Sequence, residues 1–168
     1  MLNLLGRSAG RKQTVRQLYA ATVERARAPV FFTKLGVPDT IDGRFDLLTL
    51  HAWVVLDRLR EANLPDLSQA FMDTVFIGFD EGLRDLGAGD MGMGRRMKKL
   101  ADAFYGRLSS YDGSKDLRTM GESLLRNLYR GAGDTQNAEI VARYVETARA
   151  HVAQSDIASG ALNFGPVP

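Results

Sequence analysis

The 168-residue sequence contains no cysteine and only two histidines. Without cysteine, the chain cannot form disulfides, thiolate metal sites or a cysteine nucleophile. His51 and His151 lack the close spacing of paired metal ligands, so we expect no metal site and no other cofactor. No spaced set of nucleophile, base and acid appears either. The sequence therefore predicts a protein that is not an enzyme and has no small-molecule substrate.

Long apolar runs are also missing. The longest, Ala52–Leu56, falls far short of the roughly 18 residues that a membrane-spanning helix needs. The apolar start, Leu2 to Leu5, is followed rather than preceded by arginine, unlike a secretory signal. We therefore expect a cytoplasmic protein, and a peripheral contact with the inner face of the cytoplasmic membrane stays open.

The residues that are present favour one all-α domain. The 45% hydrophobic and 25% charged content is typical of a globular chain, and apolar residues recur with helical rather than alternating spacing. We predict a single compact bundle of about six helices joined by short loops. The expected helices begin at Thr14, at about residues 43, 65 and 93, after Ser114, and after Thr135. Residues 1–12 are predicted as a flexible basic tail, 13–155 as the helical domain, and 156–168 as a frayed C-terminal tail.

Local signals refine this prediction. Asp42, Ser114 and Thr135 are candidate N-caps, because their side-chain oxygens can accept a hydrogen bond from a free backbone N–H. Gly78 and Gly82 are four residues apart in the third long helix, and this spacing favours a close approach between helices.

His51 lies on an apolar face of the second long helix. There it is best explained as a buried histidine that bonds a carboxylate or a carbonyl.

Charge is distributed unevenly along the chain. Residues 1–34 carry a net charge of +6, residues 35–90 carry −7, and residues 91–168 carry +3. A basic arm beside an acidic middle predicts either different neighbours for the two signs or ion pairs between the segments within the fold.

Four cations crowd the first turns of the helix that is expected at residue 93. They are Arg95, Arg96, Lys98 and Lys99. Because a helix N-terminus already carries partial positive charge, this cluster suits an anion such as a lipid phosphate, an RNA phosphate or an acidic surface. The alternative is pairing within the chain, for example with Asp85 or Asp90.

Three aromatic residues are candidates for an apolar contact. Phe31 and Phe32 lie in the long connection of residues 28–43, and Trp53 lies on the polar side of its helix. Each is either exposed at an interface or buried as an anchor under a neighbouring segment. The full set of candidate partner-binding residues is Phe31, Phe32, Arg44, Trp53, Arg95, Arg96, Lys98 and Lys99.

Several motifs, taken in chain order, are distinctive in combination. They are Ala26–Phe32, Gly36–Asp46, Leu50 with His51, Phe79–Asp90, and Ala103–Arg107. Together they resemble the ubiquinol–cytochrome c chaperone family. The likeness extends from about Leu18 to about Tyr111, and we expect the last fifty or so residues to lie outside it.

The resemblance implies a bacterial-type, non-catalytic assembly chaperone. Mitochondrial relatives assist assembly of respiratory complex III by acting in cytochrome b biogenesis, near the ribosome exit region and with a small partner protein. By this resemblance the expected partners are an apolar membrane-protein client (cytochrome b), the ribosome or an anionic lipid surface, and a small partner protein. Two other functions stay open: a small helical carrier of lipid or quinone, and a nucleic-acid-binding helical module.

Overall fold

The computed structural model describes residues 2–87 and 89–168, with side chains from residue 9 onward. These residues form seven α-helices and a short 3-10 turn at Ile157–Ser159, and they contain no strand. The helices are α1 Leu2–Ala26, α2 Val30–Thr33, α3 Ile41–Glu61, α4 Pro65–Asp85, α5 Met93–Asp112, α6 Leu117–Asn127 and α7 Thr135–Ala153. The predicted all-α bundle of six long helices is confirmed, with α2 as an additional single turn.

Helix α3 is the central helix, as its nearly continuous apolar sequence predicts. It packs against α1, α4, α5 and α7, and its residues Leu47, Leu50 and Leu59 are fully buried. Its N-cap is Thr40, whose hydroxyl accepts from Gly43 N, and the prediction of Asp42 is wrong. Thr40 has the extended backbone that a cap requires, whereas Asp42 already lies in the first helical turn.

Helix α1 begins at Leu2, so the boundary that we expected at residue 13 is absent. The segment contains glycine but no proline before Pro29, and glycine weakens a helix without ending it. Arg11 lies 3.9 Å from Asp66 of α4, which is a weak contact between exposed side chains. The flexibility of residues 1–12 stays a prediction.

Two more caps differ from the sequence expectation. Asp116 caps α6 in place of Ser114, and it forms a reciprocal capping box with Thr119. Asp134 caps α7 in place of Thr135, because its carboxylate reaches Gln136 N. In both loops a carboxylate stands next to the helix start, and the local backbone decides which polar side chain reaches the free N–H groups.

The C-terminal segment packs against the bundle, which corrects the expectation of a frayed tail at residues 156–168. Ile157 and Phe164 are buried, and the Phe164 ring lies 5.4 Å from the His51 ring. Arg25 donates from Nη2 to the Gly165 carbonyl at 2.6 Å. Two apolar side chains and one charged hydrogen bond therefore hold this segment across α1 and α3.

No helix in residues 2–87 and 89–168 combines the length and the apolar character needed to cross a bilayer.

Candidate functional site

An apolar groove of about 340 Å³ runs between α1, α3, α4 and α5. Its apolar lining comes from Tyr19, Val23, Ala26, Ile41, Phe45, Leu48, Phe79, Leu83, Leu86 and Leu100. Ile41 and Leu86 are 59% and 58% exposed, so the groove opens to solvent. Arg27, Arg44 and Asp85 bring charge to its walls. Sequence analysis did not predict this groove.

Two glycines of α4 shape the groove in different ways. A side chain at Gly78 would collide with the Tyr19 hydroxyl, because the Tyr19 ring of α1 packs directly against Gly78. A Cβ at Gly82 would meet nothing within 4 Å, which leaves open space in the groove. The four-residue spacing predicted a close approach between helices, and the Tyr19 ring of α1 makes such an approach at Gly78. It did not indicate that only one glycine supports packing while the other leaves a gap.

The aromatic candidates are mostly buried. Phe31 is 0% exposed and its ring packs at 5.4 Å against both His51 and Tyr144, while Phe32 is half-buried. Trp53 is 4% exposed. Phe31 and Trp53 are therefore anchors of the fold, and they do not provide the outward apolar surface that was one of the two alternatives.

Trp53 is buried because the polar side of α3 is itself covered. Its indole Nε1 donates to Asp112 at 2.9 Å, and the Arg149 guanidinium lies over its ring at 5.3 Å. Arg149 also binds Asp57 at 2.6 Å, and Arg60 joins the same carboxylate. The Asp57 carboxylate of α3 thus faces charged partners rather than water, whereas Arg60 stays largely exposed.

A second ion-pair cluster lies between α3, α5 and the end of α6. The fully buried Asp46 pairs with Arg107 at 2.8 Å and with Arg130 at 3.0 Å. Arg130 also reaches Asp42 at 3.1 Å. Burial raises the pKa of Asp46, and the two arginines oppose that rise. The acidic middle of the chain therefore meets basic residues of the 91–168 segment within the fold, which was one of the two alternatives.

His51 has the buried role that the sequence predicts. Its Nδ1 lies 2.8 Å from the Leu47 carbonyl, and its Nε2 lies 2.9 Å from the Tyr144 hydroxyl. Because a carbonyl only accepts, Nδ1 carries the hydrogen and Nε2 accepts from Tyr144. Burial lowers the pKa of His51 to about 4, and the histidine is neutral near pH 7.

The cationic candidates of α5 remain at the surface. Arg95, Arg96, Lys98 and Lys99 are exposed, and Lys98 pairs with Asp102 at 3.0 Å. Among the described residues, the other three form no ion pair. Asp90, one of the acidic residues considered as their partner, pairs with Arg84 at 3.0 Å. Just before this helix, Met91 is 97% exposed.

Arg44 lies in the wall of the groove, away from the cationic cluster of α5. It pairs with Asp39 at 2.8 Å, and both side chains are exposed. The hydrogen bond from Arg44 lowers the pKa of Asp39. The eight candidates thus divide between buried anchors, the groove wall and the start of α5, and they do not form one continuous site.

Comparison with known proteins decides the family. The sequence model described as "Ubiquinol-cytochrome C chaperone" matches residues 33–161, which is more than half of the chain. The chain belongs to the ubiquinol–cytochrome c chaperone family. The crystal structure of the Cbp3 homolog from Brucella abortus is similar to this chain, with 32% sequence identity, a TM-score of 0.84 and 98% of each chain covered.

A curated relative is similar over most of this chaperone-family chain. It is ubiquinol-cytochrome-c reductase complex assembly factor 1 from Xenopus laevis, with 24% identity over 134 residues. The match covers 77% of this chain and 67% of the relative.

The extent of the family match corrects one expectation. We expected the likeness to end near Tyr111, but the match continues through α6 and α7 to residue 161. It includes the acidic middle of the chain and its arginine partners Arg107, Arg130 and Arg149. The ion pairs between these segments therefore lie within the residues that the family model matches.

Proposed function

We propose that this chain is a non-catalytic assembly chaperone for the ubiquinol–cytochrome c reductase complex, and that its client is cytochrome b. The family membership and the name of the Xenopus relative support the assembly role. The observation that carries the proposal is the open apolar groove between α1, α3, α4 and α5. A chaperone for a membrane protein needs such a surface to cover an apolar segment before that segment reaches its final partners.

The groove suits a helical segment of the client. Its lining residues come from four helices and include Phe45, Leu48, Leu83 and Leu100, all half-buried. They can contact apolar side chains that repeat at helical spacing on one face of a client helix. Binding of this kind uses no covalent step, which agrees with the absence of a nucleophile motif in the sequence.

The expected affinity is modest. Two or three client side chains that leave water contribute about 3 to 9 kcal/mol. Association costs about 4 to 15 kcal/mol in lost freedom. The two terms are comparable, so the groove favours a reversible contact, and reversibility is what transfer of a client to an assembling complex requires.

The remaining partner predictions concern other surfaces. The exposed cations of α5 are the candidate contact for the ribosome or for an anionic lipid surface. A small partner protein and a location at the inner face of the cytoplasmic membrane also stay predictions.

A substitution that fills the groove tests the proposal. Gly82 lines the groove with open space beside it, so Gly82→Trp should occupy the site without displacing core residues. Gly106→Trp is the matched control, because Gly106 also has open space around it but lies on α5 away from the groove. Both variants should have circular dichroism spectra like that of the original chain.

Capture of cytochrome b is the measurement. The tagged chain is crosslinked in cells that synthesise cytochrome b, and the captured protein is quantified by mass spectrometry. We expect capture by the original chain and by Gly106→Trp, and at least a several-fold loss for Gly82→Trp. Equal capture by both variants would exclude the groove as the client-binding site. No capture by any form would exclude cytochrome b as the client. A lipid or quinone that co-purifies at one molecule per chain would instead support the carrier function.

A further inference from the structure

We propose that the chain docks on an anionic lipid bilayer through one edge of the bundle, where α4 leads into α5. We call this surface the α4–α5 edge, and its residues are Leu86, Met91, Arg95, Arg96, Lys98 and Lys99. The inference deepens one partner prediction of the proposed function, because it selects lipid and names the surface, and lipid binding can be measured without any client. It rests on the side chains of this edge and not on the family.

The first observation is that two exposed apolar residues lie between α4 and α5. Met91 is 97% exposed and Leu86 is 58% exposed; Leu86 directly follows α4, and Met91 lies two residues before the start of α5. A single exposed apolar residue is ordinary. Two such residues next to a cluster of cations form the combination that interfacial membrane anchors use, with apolar side chains entering the headgroup region.

The second observation is the charge beside that pair. Arg95, Arg96 and Lys99 are exposed and form no ion pair within the part of the chain that the structure describes. The acidic residues of the preceding helix and loop are partly neutralised, since Arg84 binds Asp80 at 2.8 Å and Asp90 at 3.0 Å. Three cations are therefore available to anionic headgroups.

The composition of the edge favours lipid over RNA. Proteins that bind single-stranded RNA usually stack bases on aromatic side chains, and residues 86–99 contain no aromatic residue. Cations alone would suffice for phosphate contacts, but they give no reason for a fully exposed methionine. An anionic bilayer accounts for both observations, because it offers negative headgroups above an apolar interior.

Docking here would bring the apolar groove to the membrane. Leu86 belongs to the edge and also lines the groove, as does Leu100, one turn after Arg96 on α5. The mouth of the groove would thus face the bilayer surface. An apolar segment could then pass between the groove and the membrane with little exposure to water.

Vesicle flotation with the full chain tests the inference. The vesicles contain phosphatidylcholine alone or phosphatidylcholine with phosphatidylglycerol. We expect binding only to the anionic vesicles, and less binding at high salt. Each cation near an anionic surface changes the partition coefficient about fivefold. The triple variant Arg95→Ala, Arg96→Ala, Lys99→Ala should therefore bind anionic vesicles about 100-fold more weakly.

A matched control separates this edge from net charge. Arg16, Lys34 and Lys115 are exposed cations elsewhere on the chain. Their triple substitution by alanine removes the same charge and should change vesicle binding by less than a few fold. An equal loss in both triple variants would overturn the inference, and so would vesicle binding that neither variant affects.

Insertion of the side chain at position 91 into the bilayer can be measured separately by fluorescence quenching. In Met91→Trp, lipids brominated on their acyl chains should quench the fluorescence of the new indole in anionic vesicles. The original chain is the control, because its single tryptophan, Trp53, is 4% exposed. Absence of additional quenching would overturn insertion. Salt-sensitive binding to a single-stranded RNA oligonucleotide, with no binding to anionic vesicles, would assign the edge to RNA instead.

Discussion

Residue scale: two carboxylates of α3, those of Asp46 and Asp57, are buried and pair with arginines that lie far away in the sequence. Asp46 pairs with Arg107 and Arg130, and Asp57 pairs with Arg149. Breaking a buried pair by removing one partner leaves the other charge without compensation. These contacts therefore constrain the fold more strongly than the exposed pairs on the helix surfaces do.

Replacement of Asp46 by alanine should be strongly destabilising. Arg107 is 13% exposed and would lose its buried partner, so we expect the free energy of unfolding to fall by about 3 to 5 kcal/mol. Arg130 is 47% exposed, and Arg130→Ala leaves the Asp46–Arg107 pair intact, so a loss of about 1 kcal/mol is expected. Urea denaturation of both variants measures the difference. Equal losses would show that Asp46 does not depend mainly on Arg107.

His51 should make stability depend on pH below about 6.5. Burial lowers its pKa from 6.5 to about 4, so between these values the unfolded chain binds a proton that the folded chain does not. The stabilisation is therefore present above pH 6.5 and is lost as the pH falls towards 4. The loss between pH 7 and pH 5 is about 2 kcal/mol.

His51→Gln removes this titration while it keeps a polar side chain. Denaturation at pH 7 and pH 5 measures how far the free energy of unfolding falls between these values. This fall should be smaller in the variant by about 2 kcal/mol. Carboxylates contribute equally to both proteins, so the comparison isolates His51. The same pH dependence in both proteins would contradict a buried neutral histidine.

Trp53 shows where residue-scale prediction reached its limit. Its helical face also carries Asp46, Asp57 and Arg60, and charged residues usually indicate solvent. That face is covered because Arg107 and Arg149 approach from α5 and α7 and compensate the carboxylates. Helical spacing reveals which residues share a face, but it does not reveal a distant partner. His51 was predicted correctly because the residues around it are apolar.

Element scale: helix bodies were easier to predict than helix ends. Helical spacing of apolar residues predicted helices from about residues 65 and 93, and the structure has α4 at Pro65–Asp85 and α5 at Met93–Asp112. The caps of α3, α6 and α7 were assigned to neighbouring polar residues. Thr40, Asp116 and Asp134 are the caps because their backbone is extended immediately before the helix.

The two glycines of α4 should respond in opposite ways to alanine. At Gly82 a Cβ meets open space, so Gly82→Ala should raise the free energy of unfolding by about 0.5 to 1 kcal/mol through better helix propensity. At Gly78 the new methyl group would collide with the Tyr19 hydroxyl, so Gly78→Ala should lower it. Thermal denaturation of both variants tests the contrast. A shift of the same sign in both would show that Tyr19 does not constrain Gly78.

The C-terminal segment was misjudged for a related reason. Its Gly165–Pro168 ending suggests a frayed terminus, but Ile157 and Phe164 are placed to fill space beside α1 and α3. The sequence contains too few apolar residues here to show a periodic pattern. Burial of two isolated side chains is a tertiary feature, and a periodicity argument does not detect it.

Whole-molecule scale: the buried ion pairs and the two proposed binding surfaces lie in different parts of the bundle. The ion-pair clusters are built on Asp46 and Asp57 of α3, whereas the groove is lined by apolar residues of α1, α3, α4 and α5, and the α4–α5 edge adjoins the groove at Leu86. Around α3, charges that the sequence left available for partners form ion pairs within the fold. Exposed cations remain in several places, and Arg95, Arg96 and Lys99 are three of them that lie close together in sequence at the start of α5.

If client and membrane use these two surfaces, variants of each should fail independently. Gly82→Trp fills the groove but leaves Arg95, Arg96 and Lys99 unchanged, so it should lose cytochrome b capture and keep vesicle binding. The triple alanine variant should lose vesicle binding and keep cytochrome b capture when capture is measured with the client in detergent. Detergent matters because it supplies the client without a bilayer and removes the contribution of membrane docking. Loss of both activities in either variant, with unchanged unfolding, would mean that one continuous surface binds both partners.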